Sequence, residues 1–197
     1  MRLSFVERRD PPGPPRVSSP APDAKVGAAM TRRARPSVAS CSGLLSLRGM
    51  ENLSAYAVEA GSGERLVIGQ FVVVVRASAE STGGAFALIE EPPPMVDTPL
   101  HVHEREDELF YVLEGEHVYR VGDEEFQIGP GGLVFAPRGV PHSQRRVVPG
   151  EGRQLVLVTP GGFEGFFREL AAAHAAGTLG PEAYAAATRR YAVTWLN

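Results

Sequence analysis

The sequence predicts a mainly β domain followed by two helices. Between residues 53 and 158, short runs rich in Val, Ile, Leu, Phe and Tyr alternate with turns rich in Gly, Pro and Asp, a pattern typical of antiparallel sheets. From Gly162 onward the apolar residues recur with the period of a helix. A chain of 197 residues is long enough for one such domain with a sizeable core.

Residues 1–49 differ in composition from the rest of the chain. They contain seven of the 17 prolines and nine Lys/Arg against three Asp/Glu, whereas residues 50–197 contain 11 Lys/Arg against 20 Asp/Glu. Such a segment cannot bury enough apolar surface to offset the entropy lost on ordering, so we predict a disordered extension. We expect the functional protein to begin at Met50, with the β domain at 50–160 and a helical appendage of the same domain at 161–197.

Composition also narrows the function classes. The body of the chain is acidic, with a net charge of −9 over residues 50–197, so no electrostatic footprint for nucleic acid is expected. The single cysteine, Cys41, rules out an intrachain disulfide. No apolar run approaches the roughly 20 residues of a membrane span. We therefore expect a cytoplasmic protein that binds neither nucleic acid nor membrane.

The predicted strands begin before the first chemically informative motif. Residues 53–59 alternate loosely, and residues 66–76 form a β-branched run that is apolar on both faces. A loop is expected at 77–84 and a further strand at 85–90, which Pro92 and its neighbours end because proline cannot continue a ladder.

The segment from Pro99 to Gly115 carries the first motif. In a strand, His101 and His103 share a face and lie about 6.7 Å apart. The polar run 104–107 then forms a turn, and Glu108 opens a strand that returns antiparallel beside the first. Two imidazoles and a carboxylate at one point suit a divalent first-row metal rather than Ca or Mg.

A second motif follows a predicted hairpin at 116–128. A short apolar strand, 133–136, ends in the turn around Pro137 and Gly139, which delivers His142 to the next strand. Residues 142–148 and 153–158 are the last predicted strands. Beyond them, Phe163, Phe166, Phe167, Leu170 and His174 form one helical stripe, and Pro181 starts a second helix with its own aromatic stripe. We expect both stripes to face the core.

Together the two motifs resemble those of the cupins. The first reads His-x-His-x4-Glu-x6-Gly from His101 to Gly115, and the second reads Gly-x5-Pro-x-Gly-x2-His from Gly131 to His142. The resemblance implies a jelly-roll (double-stranded β-helix) barrel over 50–160. It also implies one divalent metal (Fe, Mn, Ni, Co, Cu or Zn) held by His101, His103, Glu108 and His142. Two positions depart from the family pattern: Met95 stands where Gly is frequent, and Arg146 stands where Asn is frequent.

Within the cupins, residues 110–115 and 161–165 look most similar to quercetin-dioxygenase-like proteins. That resemblance implies an oxidoreductase in which a flavonol or similar enolic phenol binds at the metal and reacts with dioxygen, with Glu108 as general base. Assuming that alternate strand residues face the metal, we predict apolar pocket walls from Phe110, Val112, Leu133 and Phe135. The outer face of the strand at 109–113 still needs cover, and we expect a homodimer.

Two other functions fit the same motifs. A metal-dependent isomerase or lyase acting on a sugar or keto acid requires cationic groups in the pocket, for which Arg138, Arg145 and Arg146 are the candidates. A non-catalytic cupin that binds a small molecule requires neither cations nor a base. Oxygen uptake with flavonols separates the first function from the other two.

Overall fold

A computed structural model describes residues 53–196 of the chain. The predicted disordered extension at 1–49 and the proposed start at Met50 lie outside these residues. In the described region, 11 strands form two antiparallel sheets and two longer helices follow near the C-terminus, which confirms the predicted mainly β jelly-roll fold.

The elements, in chain order, are as follows: β1 (Glu64–Ile68), β2 (Phe71–Ala77), α1 (Ala79–Thr82), β3 (Ala87–Glu91), β4 (Thr98–His103), β5 (Asp107–Glu114), β6 (His117–Val121), β7 (Glu124–Ile128), β8 (Leu133–Ala136), β9 (His142–Arg146), β10 (Arg153–Thr159), α2 (Glu164–Ala175), α3 (Pro181–Arg190) and β11 (Val193–Trp195).

The strands form two sheets, and the chain passes repeatedly from one sheet to the other. One sheet has the order β1-β2-β3-β10-β5-β8, and the other has the order β11-β4-β9-β6-β7. Strands next to each other in a sheet are therefore mostly distant in sequence, as in a jelly roll. This order puts β4 beside β9, so the two histidine motifs meet side by side.

Alternation of buried and partly exposed residues shows which face of each strand lies inside. In β10, for example, Gln154, Val156 and Val158 are buried, while Leu155 and Leu157 are only partly buried. The interior is continuous with the C-terminal helices, because Phe163, Phe166 and Leu170 belong to the same buried cluster as the strand residues. The domain thus has one core shared by barrel and helices.

Three predicted elements differ from the structure. Residues 53–59 form no strand and are exposed, which fits a loose alternation that no partner strand supports. The apolar run 66–76 is two strands, because Gly69, with φ of 60°, allows a turn between Ile68 and Phe71. The predicted loop at 77–84 contains the single-turn helix α1.

The C-terminal segment also contributes a strand that the sequence analysis did not anticipate. β11 follows α3 and pairs with β4, with Trp195 opposite His101 and Val193 opposite His103. The segment from 161 onward therefore completes the sheet that carries three of the four predicted ligands, His101, His103 and His142.

None of the helices between residues 53 and 196 is both long enough and apolar enough to cross a bilayer.

Candidate metal centre

The four predicted metal ligands converge on one point inside the barrel. His101, His103, Glu108 and His142 each offer a donor atom, and these four atoms lie within 4.8 Å of one another. All four side chains are buried, from 1% exposed for His103 to 6% for Glu108. We call this group the metal cluster.

Strand register explains why these residues meet. His101 and His103 alternate along β4 and point to the same side, and His101 lies directly opposite His142 on β9. Glu108 comes from the other sheet, near the start of β5. Its carboxylate oxygens lie 3.5 Å from Nε2 of His103 and 3.1 Å from Nε2 of His142.

Main-chain carbonyls orient two of the imidazoles. Nδ1 of His101 lies 2.9 Å from the carbonyl oxygen of Pro99, and Nδ1 of His142 lies 3.0 Å from that of Val140. Each Nδ1–H donates to its carbonyl, so Nε2 is the atom directed at the cluster. This tautomer and orientation are those of a metal-binding histidine.

Glu106 supplies the corresponding group for the third imidazole. Its carboxylate oxygen lies 3.7 Å from Nδ1 of His103, and both atoms are buried without a hydrogen-bond partner within the described residues. In the sequence, Glu106 belongs to a charged turn, a pattern that predicts a solvent-exposed side chain. The structure instead buries it to 8% exposure, whereas Glu104 two residues earlier is exposed.

The cluster shifts the protonation of its own members in opposite directions. Burial, reinforced by the charge of His142, lowers the pKa of His101 to about 4. For His142 burial also disfavours the charge, but the hydrogen bond and charge of Glu108 outweigh it and raise the pKa above its ordinary value. For Glu108 burial raises the pKa, yet the charge of His103 and the hydrogen bond from His142 bring it down to about 2.

The donor set fits a divalent first-row ion. Such ions bind imidazole nitrogen and carboxylate oxygen at about 2.0–2.2 Å, so donors around one ion lie within roughly 4.4 Å of one another. The 4.8 Å spread of the cluster is close to this limit. Burying three imidazoles beside one carboxylate with no further role is unfavourable, since buried polar groups require partners, and a shared ion supplies one.

The cluster lines one end of a cavity of about 350 Å³, which we call the inner cavity. Its volume lies at the lower end of the range for small-molecule pockets, about 300–1,000 Å³. Of the four residues predicted to line it, Phe110 does so. Val112 is fully buried in the core but does not reach the inner cavity.

The placement predicted for Leu133 and Phe135 is wrong. They are 55% and 53% exposed and lie on the outer face of the barrel. In the β5–β8 pairing, Phe135 lies opposite Leu109 and Leu133 opposite Tyr111, and residues opposite one another share a face. The inward residues of β8 are therefore Val134 and Ala136, one position out of phase with the prediction.

Aromatic residues of the C-terminal segment supply the walls that β8 does not. Phe163 packs edge-on against His103 with ring centroids 4.4 Å apart, and Phe166 and Phe167 line the inner cavity with it. Trp195 lies 5.1 Å from the ring of His101 and is 42% exposed. The helical stripe was recognisable in the sequence as a buried face, but only the tertiary packing shows that this face also borders the cavity.

Glu91 and Gln144 line the inner cavity outside the metal cluster, and Gln154 contacts both of them. Nε2 of Gln154 donates to Oε2 of Glu91 at 2.7 Å and to Oε1 of Gln144 at 2.6 Å. Nε2 of Gln144 donates to the same Glu91 oxygen at 3.3 Å. We call Glu91, Gln144 and Gln154 the glutamine end.

The two departures from the cupin pattern meet behind this glutamine end. Nε of Arg146 lies 3.1 Å from the sulfur of Met95, and Nη2 lies 3.6 Å from Oε2 of Glu91. Arg146 is 4% exposed, and its two Nη atoms have no hydrogen-bond partner within residues 53–196. The two substitutions therefore act as a pair that places a buried cation beside Glu91.

A jelly-roll barrel with three histidines and a glutamate at one end of an internal cavity defines a class of metal-binding β-barrel proteins. Residues 88–158 match the family model of the cupin domain. This part of the chain resembles the cupin domain, and the chain is similar to quercetinase-like cupins. It is 33% identical over 116 residues to the quercetin 2,3-dioxygenase of Bacillus subtilis, covering 58% of this chain. The chain spans only about a third (34%) of that relative's length.

Two solved structures are similar over about half of the chain. KdgF from Halomonas sp. is 15% identical and matches 54% of this chain and 94% of that protein, with a TM-score of 0.46. A predicted oxalate decarboxylase from Thermotoga maritima is 25% identical and matches 52% of this chain and 97% of that protein, with a TM-score of 0.43.

Proposed function

We propose that the protein is a metal-dependent dioxygenase acting on a flavonol-like or other enolic aromatic compound. His101, His103 and His142 hold one divalent transition metal, and Glu108 alternates between metal ligand and base. The observation that carries this proposal is the convergence of three imidazoles and one carboxylate at the end of an aromatic-walled cavity. The similarity to the Bacillus subtilis quercetin 2,3-dioxygenase supports it.

A divalent ion held by these residues would act as a Lewis acid toward the enolic hydroxyl of the substrate. The residues of the chain do the rest. Glu108 lies within 3.5 Å of two imidazoles, so its carboxylate is placed to accept the enolic proton of a substrate at the metal cluster. Phe163 and Phe166, which stack with centroids 5.2 Å apart, exclude water from the reacting end.

The charge of the inner cavity favours an uncharged aromatic substrate. Among the described residues that line it, none is Lys or Arg, and the ionisable side chains other than histidines and tyrosine are Glu91, Asp97 and Glu108. Flat apolar surface comes from aromatic residues of β2, β5, α2, α3 and β11. A planar phenol buries well against such walls, whereas a carboxylate substrate meets no cation apart from the metal.

The three arginines that an anionic substrate would require lie elsewhere. Arg138 binds Asp107 at 2.7 Å with half of its side chain exposed, and Arg145 is exposed beside Glu125. Arg146 is buried but directed at Glu91. An isomerase or lyase of a keto acid is therefore disfavoured. An isomerase acting on a neutral sugar stays the second candidate, since the glutamine end offers hydrogen bonds to hydroxyl groups.

Oxygen consumption tests the proposal. Protein purified without added metal is analysed for its metal content, then stripped with chelator and reloaded with Fe, Mn, Ni, Co, Cu or Zn in turn. We expect at least one loaded form to consume dioxygen with a flavonol, and the stripped protein to consume none. Absence of uptake with every metal, together with retained binding of the flavonol, would favour the non-catalytic binding function.

We also propose a homodimer formed through the outer face of the six-stranded sheet. Strand register places a contiguous apolar surface there, consisting of Leu109, Tyr111, Leu133, Phe135, Leu155 and Leu157. Exposed apolar surface of this kind is typical of protein interfaces, and a twofold axis lets one face cover itself. Phe135→Lys should convert the dimer to a monomer in sedimentation experiments, whereas Val148→Lys, at an exposed apolar position outside the strands, should not.

A further inference from the structure

Glu91 borders the inner cavity at the glutamine end and has one carboxylate oxygen without a partner. Its Oε2 receives Gln154 at 2.7 Å and Gln144 at 3.3 Å, with Arg146 at 3.6 Å. No donor in the described part of the chain contacts the other oxygen, Oε1, although Glu91 borders the cavity. One carboxylate oxygen of Glu91 is therefore held by hydrogen bonds, and the other is available to accept a hydrogen bond from a ligand.

The neighbouring residue shows what a structural carboxylate looks like in the same strand. Glu90 is buried, whereas the side chain of Glu91 is 19% exposed. Arg76 donates to one oxygen of Glu90 at 2.7 Å and Arg153 donates to the other at 2.7 Å. Glu90 is thus fully paired and faces away from the inner cavity. Glu91 lacks this pairing, which indicates that its second oxygen serves a ligand.

Strand geometry sets the distance between Glu91 and the metal cluster. His142 and Gln144 are both buried and point inward from β9, and alternate residues of a strand lie about 6.7 Å apart. Glu91 contacts Gln144, so it lies one such step beyond His142. Aromatic rings of α2 line the cavity alongside these polar groups.

We propose that Glu91 is a specificity-determining residue that binds a second hydroxyl group of the substrate, remote from the hydroxyl held at the metal. This inference rests on the proposed function and narrows its substrate class to polyphenols with hydroxyl groups at both ends of a flat apolar frame. A hydroxyl fits because it donates to a carboxylate and accepts from a carboxylic acid. Burial raises the pKa of Glu91 while Arg146 and Gln154 oppose that rise, and a hydroxyl pairs with either form.

Binding under nitrogen, where no turnover occurs, tests the inference on metal-loaded protein. The probes are 3-hydroxyflavone, which carries only the metal-binding hydroxyl, and quercetin, which adds hydroxyls to both outer rings. We expect calorimetry to show quercetin bound at least about tenfold more tightly, because a cavity-lining carboxylate that the ligand covers and leaves unpaired penalises the analogue that lacks a hydroxyl. The ratio of the two affinities is the quantity compared between variants.

Two variants remove or weaken the hydroxyl acceptor. Glu91→Leu combined with Arg146→Leu deletes the carboxylate without leaving a buried cation unpaired. This double variant should bring the affinity ratio to about one, while its affinity for 3-hydroxyflavone stays within about twofold of the wild-type value. Glu91→Gln, which preserves shape, should give an intermediate ratio even if the double variant does not fold. Glu114→Gln, at an exposed carboxylate, is the matched control and should keep the wild-type ratio.

The outcomes separate this inference from the proposed function. If wild-type protein binds 3-hydroxyflavone but shows no preference for quercetin, or if Glu91→Gln keeps the full preference, the role of Glu91 is refuted and the dioxygenase proposal stands. If wild-type protein binds neither probe, the flavonol-like substrate class and the role of Glu91 both fall.

Discussion

The two ends of the inner cavity hold their polar groups by different means. In the metal cluster, main-chain carbonyls of Pro99 and Val140 fix the imidazoles of His101 and His142. At the glutamine end, Gln144, Gln154 and Glu91 are held by one another and by the side chains of Arg146, Thr98 and Tyr119. The backbone thus orients imidazoles that serve as donors for an ion, whereas the groups for substrate recognition are oriented by other side chains. Such side chains change in pairs, as the contact between Met95 and Arg146 illustrates.

The largest expected effect is at the metal cluster. His103→Ala removes one of three imidazoles from a buried site, so we expect stoichiometric metal and oxygen consumption to be lost together. Elemental analysis of the purified variant measures the first and an oxygen electrode measures the second.

The matched change at the opposite end is Gln154→Leu. It leaves Tyr119 and Glu91 short of buried partners, which should lower the free energy of unfolding by about 1–3 kcal/mol while the metal content stays at the wild-type level. Equal loss of metal in both variants would show that the two ends are not independent.

Glu108→Gln separates catalysis from ion binding within the metal cluster. Three imidazoles hold a divalent ion without a carboxylate, but an amide cannot accept a proton. We expect most of the metal to remain and flavonol turnover to fall roughly 10²–10⁴-fold, as for a lost general base. Near-wild-type turnover at full metal occupancy would make Glu108 a structural ligand only.

Glu106→Gln is expected to have a smaller effect on metal affinity. The carboxylate faces Nδ1 of His103 at 3.7 Å, and loss of such a partner typically weakens metal binding about 10–100-fold. Competition with a chromophoric chelator measures the affinity. Glu104→Gln, two residues away and exposed, is the control and should leave it unchanged.

The smallest expected effect is the order in which the imidazoles titrate in the metal-free protein. Nuclear magnetic resonance should show His142 taking up a proton above pH 6.5, and His101 only near pH 4. Because the pKa of His142 is higher in the folded than in the unfolded chain, its protonation stabilises the fold at pH values below the unfolded pKa. This contribution is lost as pH rises through the folded pKa. The depressed pKa of His101 acts oppositely, and its contribution is lost as pH falls from 6.5 towards 4.

Proton competition at His142 should therefore limit metal binding in acid. We expect the loaded protein to release its metal by about pH 5 and its melting temperature to fall, because protonated imidazole cannot ligate. A loaded protein whose melting temperature is the same at pH 5 and pH 7 would contradict this expectation.

Local spacing in the sequence was sufficient to predict three members of the metal cluster, and the resemblance to the cupin motifs added His142. His101, His103 and Glu108 lie within eight residues of one another, so strand alternation and one turn bring them together. The phase of β8 could not be derived in this way. Its four residues are all apolar, and only the pairing with β5 decides which two of them face inward.

The glutamine end was beyond prediction for a different reason. Glu91, Gln144 and Gln154 come from β3, β9 and β10, and each is unremarkable in its own segment. Their hydrogen bonds depend on strand order across two sheets, which no local pattern encodes. Glu106 was misjudged because a charged turn is usually solvated, and its burial depends on the neighbouring His103.

The position of Trp195 makes the protein its own optical sensor. It is the only tryptophan in the chain, and its ring lies 5.1 Å from that of His101. Ions with a partly filled d shell quench a fluorophore at this range, whereas Zn²⁺, with its closed d¹⁰ shell, does not by that route. The fluorescence intensity of Trp195 should therefore report the fraction of occupied sites and distinguish open-shell ions from Zn²⁺, with no added label.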